Sequence, residues 1–371
     1  MKTIIFIVEK ISQPRCVKRI QSIIDMGYPY KVYGFEDGSY NSDLSCFPFT
    51  ITEVLSQPRC VSYLDKIRAN LYPYVKFFEI IRKNRKNTVF YIFGYELAKV
   101  FYLLGCRNYI YEEADINSAK IANNLRRRIA IKLDKTIALK SLLTVYTSKG
   151  FVEYLFGDRL KKPKFLIVPN KLSNFFDDEK RRCFIKTKGN KLRFGFIGLI
   201  RYPQTIFRFA SIIAAKYPQY EFHLWGGLSG GLIIPEDLNN SNNVFFHGPF
   251  ANPDDLEHIY SQIDVNIACY DTKSVKYAIN VRVAEPNKLY ESIYFGVPII
   301  VSSNTYVGKR VLELGVGTAI DCSNDEEIVN FIESLNQEML NGYCNNAKEI
   351  PTNKLVYNPE KLLSFLNKIM Q

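Results

Sequence analysis

Short apolar runs rich in β-branched and aromatic residues alternate with stretches of helical spacing along most of the chain. Thr3-Ile-Ile-Phe-Ile-Val8 is a continuous apolar run, the pattern of a strand buried on both faces of a parallel sheet. After Gln13-Pro14-Arg15, the residues Val17, Ile20, Ile23 and Ile24 recur at helical spacing as far as Met26-Gly27, and 31–35 reads as the next strand. This β–α–β unit is about 30 residues long. Its loop has no Gly-x-Gly-x-x-Gly, so it is not the dinucleotide fingerprint. A long helix is expected over 63–84, interrupted at Tyr72-Pro73-Tyr74, with further strands at 88–93, 109–111, 143–147 and 165–169. Residues 176–190 are polar, charged and aperiodic, as a linker would be. Beyond them the pattern restarts, with strands near 192–197, 220–225, 243–248, 263–268, 299–301 and 318–321, and an amphipathic helix closing the sequence. At 371 residues the chain exceeds one typical domain. The expected division is 1–175, a linker at 176–190, 191–355, and a C-terminal helix within 356–371.

One segment carries more chemistry than the others. Residues 285–302 read Glu-Pro-Asn-Lys-Leu-Tyr-Glu-Ser-Ile-Tyr-Phe-Gly-Val-Pro-Ile-Ile-Val-Ser. Pro286 suits a first helical turn, Leu289, Tyr290 and Ile293 share a buried face, and Gly296 stops the helix before an apolar strand. Asn287, Lys288 and Glu291 gather at the helix start, where free N–H groups and the helix dipole favour an anion. Lys288 offers a point charge to a diphosphate. Glu291 has the reach to accept two hydrogen bonds from vicinal ribose hydroxyls. An isolated Lys-x-x-Glu, by contrast, reads most simply as a solvated helix start.

Other candidates sit where strands end. Gly198 permits close approach of backbone to a ligand, and Arg201 follows in the same loop with a guanidinium for phosphate oxygens. Gly226 opens a glycine loop suited to lie against a nucleotide base. Arg282, in the polar loop 272–282, is a candidate for phosphate or for a negatively charged donor sugar. In the first half, Glu112-Glu113-Ala114-Asp115 follows an apolar strand, at the edge where doubly wound sheets bind ligands. Repulsion and partial burial there raise a carboxyl pKa, which suits a catalytic base, with Asp115 the first candidate and Glu113 the second. Capping of the next helix is the structural alternative for either. His223 and His247 read as structural.

Segment 285–302 resembles the nucleotide-sugar site of glycosyltransferases with the two-lobed GT-B fold, above all family 4 and its relatives. There, Pro-Asn-Lys-(Leu/Ile)-aromatic-Glu precedes a Gly-x-Pro strand. Gly198-Leu-Ile-Arg-Tyr-Pro203 and Val168-Pro169-Asn170 are similar to further segments of the same enzymes. The resemblance implies an α/β GT-B architecture of two Rossmann-like doubly wound lobes facing across a cleft. The first lobe would take the acceptor and the second the nucleotide diphosphate-sugar, with the last helix crossing back to the first. Lys288 and Glu291 then become diphosphate and ribose contacts. The activity implied is sugar transfer from a UDP-linked donor to a saccharide or lipid-linked saccharide, in bacterial surface-polysaccharide or capsule assembly. Family 4 enzymes pair this glutamate with another eight residues earlier. Val283 stands at that position and the nearest acid is Glu285, so the donor-sugar partner does not carry over, and retention or inversion stays open. Lys288, Arg201 and helix N–H groups would do the work of a metal, so no cofactor or essential metal is expected. A sugar-nucleotide epimerase of the same fold, a non-catalytic relative and a basic nucleic-acid binder remain as alternatives.

With 47% apolar residues, each half can build its own core. The formal charge of +12 is uneven: residues 1–190 hold 34 Lys/Arg against 18 Asp/Glu, the remainder 15 against 19. The first half is therefore attracted to anions. Leu125-Arg-Arg-Arg-Ile-Ala-Ile-Lys132 and Arg82-Lys83-Asn84-Arg85-Lys86 point to an anionic membrane surface, and no motif supports nucleic acid. Eight cysteines show no C-x-x-C pair and the three histidines stand apart from them, so unpaired thiols in a reducing cytoplasm and no metal are expected. No apolar run is long enough to cross a bilayer and no leader pattern is seen, so the expected location is cytoplasmic, peripheral at most on the inner membrane face.

Overall fold

The computed structural model describes residues 2–35, 47–55, 63–84, 86–157, 165–181, 191–201, 203–228, 232–273 and 278–371. Contacts divide the chain into two units, Met1–Pro169 with Asn358–Gln371, and Asn170–Tyr357.

The first unit is a seven-stranded parallel sheet with its helices. In chain order it runs β1 (Thr3–Val8), α1 (Pro14–Ile24), β2 (Tyr30–Phe35), β3 (Glu53–Leu55), α2 (Tyr63–Lys83), β4 (Thr88–Phe93), α3 (Tyr95–Leu103), β5 (Tyr109–Glu113), α4 (Asn124–Lys140), β6 (Leu143–Tyr146), α5 (Lys149–Phe156) and β7 (Phe165–Ile167). The strand order is β3-β2-β1-β4-β5-β6-β7. Central strands such as β4 are buried along their whole length, which is why they read as unbroken apolar runs. α1 starts at Pro14, whose missing N–H costs nothing in a first turn, and buries Cys16, Ile20 and Ile23.

Two elements depart from the sequence reading. α2 continues through Pro73, where a break was expected; proline deletes one intrahelical hydrogen bond, and the remaining turns hold. β5 extends through both glutamates rather than stopping at Tyr111. Strand alternation then sends Glu112 and Glu113 to opposite faces of the sheet.

The second unit runs β8 (Arg193–Ile197), α6 (Pro203–Lys216), β9 (Glu221–Trp225), α7 (Glu236–Asn239), β10 (Val244–Gly248), α8 (Leu256–Ser261), β11 (Val265–Ala268), α9 (Ala278–Val283), α10 (Asn287–Phe295), β12 (Ile299–Ser302), α11 (Tyr306–Leu314), β13 (Gly317–Ile320), α12 (Asp325–Ser334) and α13 (Gln337–Glu349). Its six strands lie in the order β10-β9-β8-β11-β12-β13, the Rossmann order, with the topological switch between β8 and β11. Phe194, Phe196, Phe222 and Leu224 pack one face against α6 and α12. Ile197, Trp225, Ile299 and Val301 pack the other against α8, α10 and α11. The stretch expected as loop 272–282 contains α9, whose Ala278 and Val281 find cover in the fold.

The last helix, α14 (Glu360–Met370), belongs to the first unit and buries Leu362, Leu366 and Met370. Tyr28 OH donates to Asn367 Oδ1 (2.9 Å) and Lys2 Nζ to the Ile369 carbonyl (2.5 Å). Of the segment read as a linker, 182–190 lie outside the described residues. Arg181 donates to the carbonyls of Ala347 and Ile350, and Tyr294 OH to that of Asp177, so 177–181 are tied to the second unit.

The expectation of unpaired thiols fails at Cys269 and Cys322, which form a disulfide between the ends of β11 and β13. The two are separated by 53 residues, a spacing with no recognisable signal. Cys16, Cys106 and Cys344 are buried free thiols, and Cys46, Cys60 and Cys183 lie outside the described residues. Among the described residues no helix is long and apolar enough to cross a membrane.

Candidate functional site

The chemistry concentrates at the switch point of the second sheet. Pro286 caps α10 with extended backbone, and Gly296 ends it in the left-handed conformation (φ 65°). The helix is not amphipathic, as its spacing suggested, but buried on all sides between the sheet, α8 and α13. Lys288 is therefore drawn inward and is only 9% exposed.

Its ammonium reaches the C-terminal end of β8. A Cβ on Gly198 would stand 2.7 Å from Lys288 Nζ, and one on Gly226 would stand 2.1 Å from the Gly198 carbonyl oxygen. Both glycines have φ 130°, so both positions favour glycine by backbone angle, and Gly226 by space as well. Gly198 N–H donates to the Trp225 carbonyl and Gly226 N–H to that of Gly248, each at 2.7 Å, which fixes the glycine turns to one another. Nζ also lies 5.4 Å from the Phe196 ring centre and 6.0 Å from that of Tyr270, as a cation does over aromatic faces. Among the described residues no carboxylate lies within ion-pair distance of Nζ. A buried cation that makes no direct ion pair is costly to keep. The arrangement is therefore built to receive a negative charge beside glycine backbone, at the end of β8.

Glu291 lies one turn further along and is 3% exposed. Tyr260 OH from α8 donates to its Oε2 (3.0 Å), and Asn287 Nδ2 donates to Oε1. Asn287 is thus the partner of Glu291 within the helix. Asn266 of β11 extends the network, donating to Tyr260 OH (3.3 Å) and to Ser292 Oγ (2.7 Å). Burial pushes the Glu291 carboxyl above its ordinary pKa, while the Lys288 charge and the two hydrogen bonds pull it back down. Sequence spacing gave no sign of Tyr260 or Asn266; a tyrosine on an apolar helix face and an asparagine inside a strand show their purpose only when the elements meet.

The other basic candidates are more peripheral. Arg201 is exposed in the loop after Gly198. Arg282 is also exposed and donates to the Thr272 carbonyl (2.8 Å), which closes the base of its own loop. Trp225 stacks on His247 (4.4 Å between ring centres, 9° between planes), and His223 Nδ1 meets His247 Nε2 at 3.0 Å, which seats both histidines in packing.

In the first unit, strand alternation separates the carboxylates that sequence had grouped. Glu112 is enclosed by Arg15 (3.0 Å), Arg19 (2.9 Å) and Tyr91 OH (2.5 Å). Burial raises its pKa, but the two guanidiniums and the tyrosine outweigh it and hold the group below the ordinary carboxylate range. Glu113 faces α4 and is fully buried. Burial first, then repulsion from Asp134, pushes its pKa well up. Asp134 accepts from Ser118 Oγ (2.6 Å) and Tyr111 OH (3.1 Å), and burial raises it to about 6. Glu113 is thus buried inside the unit, not open at the strand edge where the sequence placed it. The Asp115 side chain, beyond the strand, is 46% exposed, and its Oδ2 lies 3.6 Å from Lys120 Nζ.

No family model matches the chain, and no curated protein matches it. Solved structures match along its whole length. Sucrose-phosphate synthase from Thermosynechococcus elongatus superposes with a TM-score of 0.67 at 14% identity, covering 100% of this chain and 98% of that one. Anabaena HepE, solved in complex with UDP and glucose, gives 0.65 at 14% identity, covering 99% and 98%. A putative UDP-N-acetylglucosamine 2-epimerase from Listeria monocytogenes gives 0.61 at 10% identity, covering 100% and 97%. At these identities the likeness establishes architecture: the chain has the α/β GT-B fold.

Proposed function

We propose that the protein is a glycosyltransferase that moves a sugar from a nucleoside diphosphate-sugar, UDP-linked, to a saccharide or lipid-linked saccharide acceptor. The observation that carries this reading is Lys288, an inward-turned ammonium against Gly198, whose turn packs on that of Gly226, at the switch point of a Rossmann-type sheet. There it neutralises the diphosphate, and its charge stabilises the leaving group as the glycosidic bond breaks. Arg201 adds a second cation from the adjoining loop, so the departing diphosphate needs no metal. Glu291, held by Tyr260 and Asn287, receives the ribose hydroxyls. The co-crystallised UDP and glucose of HepE are the ligands this reading brings to the same fold. For an inverting course Asp115 is the base, as the exposed carboxylate at the end of β5.

The test measures UDP binding by calorimetry and free UDP release from UDP-sugars in the presence of acceptors. Lys288→Ala is expected to weaken UDP by about 10–100-fold, the worth of one charge-assisted hydrogen bond. Unchanged UDP affinity in Lys288→Ala would refute the reading. Product analysis separates the epimerase, which yields an isomeric UDP-sugar. Asp115→Asn separates the stereochemical courses: transfer lost with UDP affinity kept marks an inverting base, and transfer kept marks a course that needs none.

A further inference from the structure

α4 has two faces of opposite character. Ala130, Asp134, Ile137 and Ala138 are buried in the first unit, and Tyr95 OH donates to the Ala130 carbonyl from behind (3.4 Å). On the opposite side Leu125 is 68% exposed and Ile129 60%. The helical repeat places Leu125, Arg128, Ile129 and Lys132 on one outward stripe, flanked by Arg126. Arg127 turns aside and donates to Asn124 Oδ1 (2.5 Å). Tyr154 of α5, 38% exposed, lies close enough to Arg127 to feel its charge. Among the described residues no ion pair engages Arg126, Arg128 or Lys132.

Single exposed apolar residues are ordinary. A leucine and an isoleucine one turn apart, both in water and both set among unpaired cations, form a pattern with a chemical complement. Nucleic acid answers the cations and leaves the two aliphatic side chains without a partner. An anionic bilayer answers both, since headgroups take the guanidiniums while aliphatic side chains pass below them. The excess of Lys/Arg over Asp/Glu in residues 1–190 adds long-range attraction to the same partner.

We propose that this face of α4 docks the protein on an anionic membrane, with Leu125 and Ile129 inserted at the acyl boundary and Arg126, Arg128 and Lys132 on the headgroups. α4 begins beyond Asp115, after the 3₁₀ turn Asn117–Lys120, so the docked helix stands close in sequence to the carboxylate proposed as base for an inverting course. The membrane surface therefore deepens the proposed function by favouring a lipid-linked acceptor, and only that step rests on the transferase reading. Docking requires no nucleotide-sugar, so vesicle binding and UDP binding fail independently.

The experiment floats the full chain with vesicles of phosphatidylcholine, with and without phosphatidylglycerol. Wild type is expected to bind only the anionic vesicles. The double variants Leu125→Ser/Ile129→Ser and Arg126→Gln/Arg128→Gln are each expected to weaken binding by about tenfold or more. Melting temperature and UDP affinity should stay at wild-type values, because the substituted side chains are exposed. Absence of wild-type binding to anionic vesicles, or unchanged binding in either double variant, would overturn the proposal. So would single-stranded RNA that binds as tightly as the vesicles and is lost in the arginine variant alone.

Discussion

Lys288 and Glu291 share a helical turn, yet burial acts on them through different neighbours. Lys288 is surrounded by aromatic rings and glycine backbone, whereas Glu291 has two donors in place and an ammonium nearby. Tyr260→Phe isolates one of those donors. Removing the hydroxyl leaves Glu291 Oε2 buried without it, at a cost of about 1.5–3 kcal/mol for a hydrogen bond to a charged group. The sign of the pH dependence follows from the direction of the Glu291 shift. A carboxyl raised in the folded state contributes stability below its unfolded pKa and loses it as pH rises through the folded value. Loss of the Tyr260 hydroxyl, which pulls the pKa down, raises the folded value further. The deficit of Tyr260→Phe in urea unfolding should therefore be larger at pH 8 than at pH 5. Equal deficits at both values would reduce Tyr260 to packing. Nothing in the sequence singles this tyrosine out, because its partner lies 31 positions away.

Elements show why some of the site was legible and some was not. The Pro286–Ser302 segment could be read because its order of cap, buried face, stop glycine and apolar strand is local, and each residue type has one physical use at its place. Burial of α10 on every side was not legible, since it depends on α8 and α13 arriving from elsewhere. β5 failed for a related reason. Two adjacent glutamates read as the end of a strand, and only the arginines of α1, more than 90 positions away, make Glu112 a core residue. Adjacent strand positions point to opposite faces, so the apparent acidic cluster dissolves into a buried ion pair, a buried carboxyl of raised pKa and one aspartate with a half-exposed side chain. The glycine turns ending β8 and β9 carry a prediction at this scale. Gly198→Ala meets a strained φ that costs about 1–3 kcal/mol, and its methyl displaces the flexible end of Lys288. Gly226→Ala meets the same φ and a backbone oxygen that cannot yield. Melting temperatures should fall in the order wild type, Gly198→Ala, Gly226→Ala. UDP should bind weakly even to whatever folded Gly198→Ala remains, and normal UDP affinity there would detach Lys288 from the site.

At the scale of the whole molecule, each unit has its own sheet and its own core, and the chain returns to the first unit only through α14. Units of this size with separate cores can unfold as separate cooperative events. Ligand binding to one of them raises the stability of that one by mass action. UDP is therefore expected to shift only the calorimetric transition that belongs to Asn170–Tyr357. α14 supplies the complementary perturbation. Deleting residues 358–371 uncovers the sites of Leu362, Leu366 and Met370, each now 2% exposed or less. Three buried side chains of this kind are worth on the order of 5 kcal/mol together. The truncated chain should melt earlier in the transition that UDP does not shift, while UDP affinity stays at the wild-type value. If truncation lowered UDP affinity along with stability, the donor site would not be contained in the second unit, and the case built on Lys288 and Glu291 would have to be widened to include residues of the first.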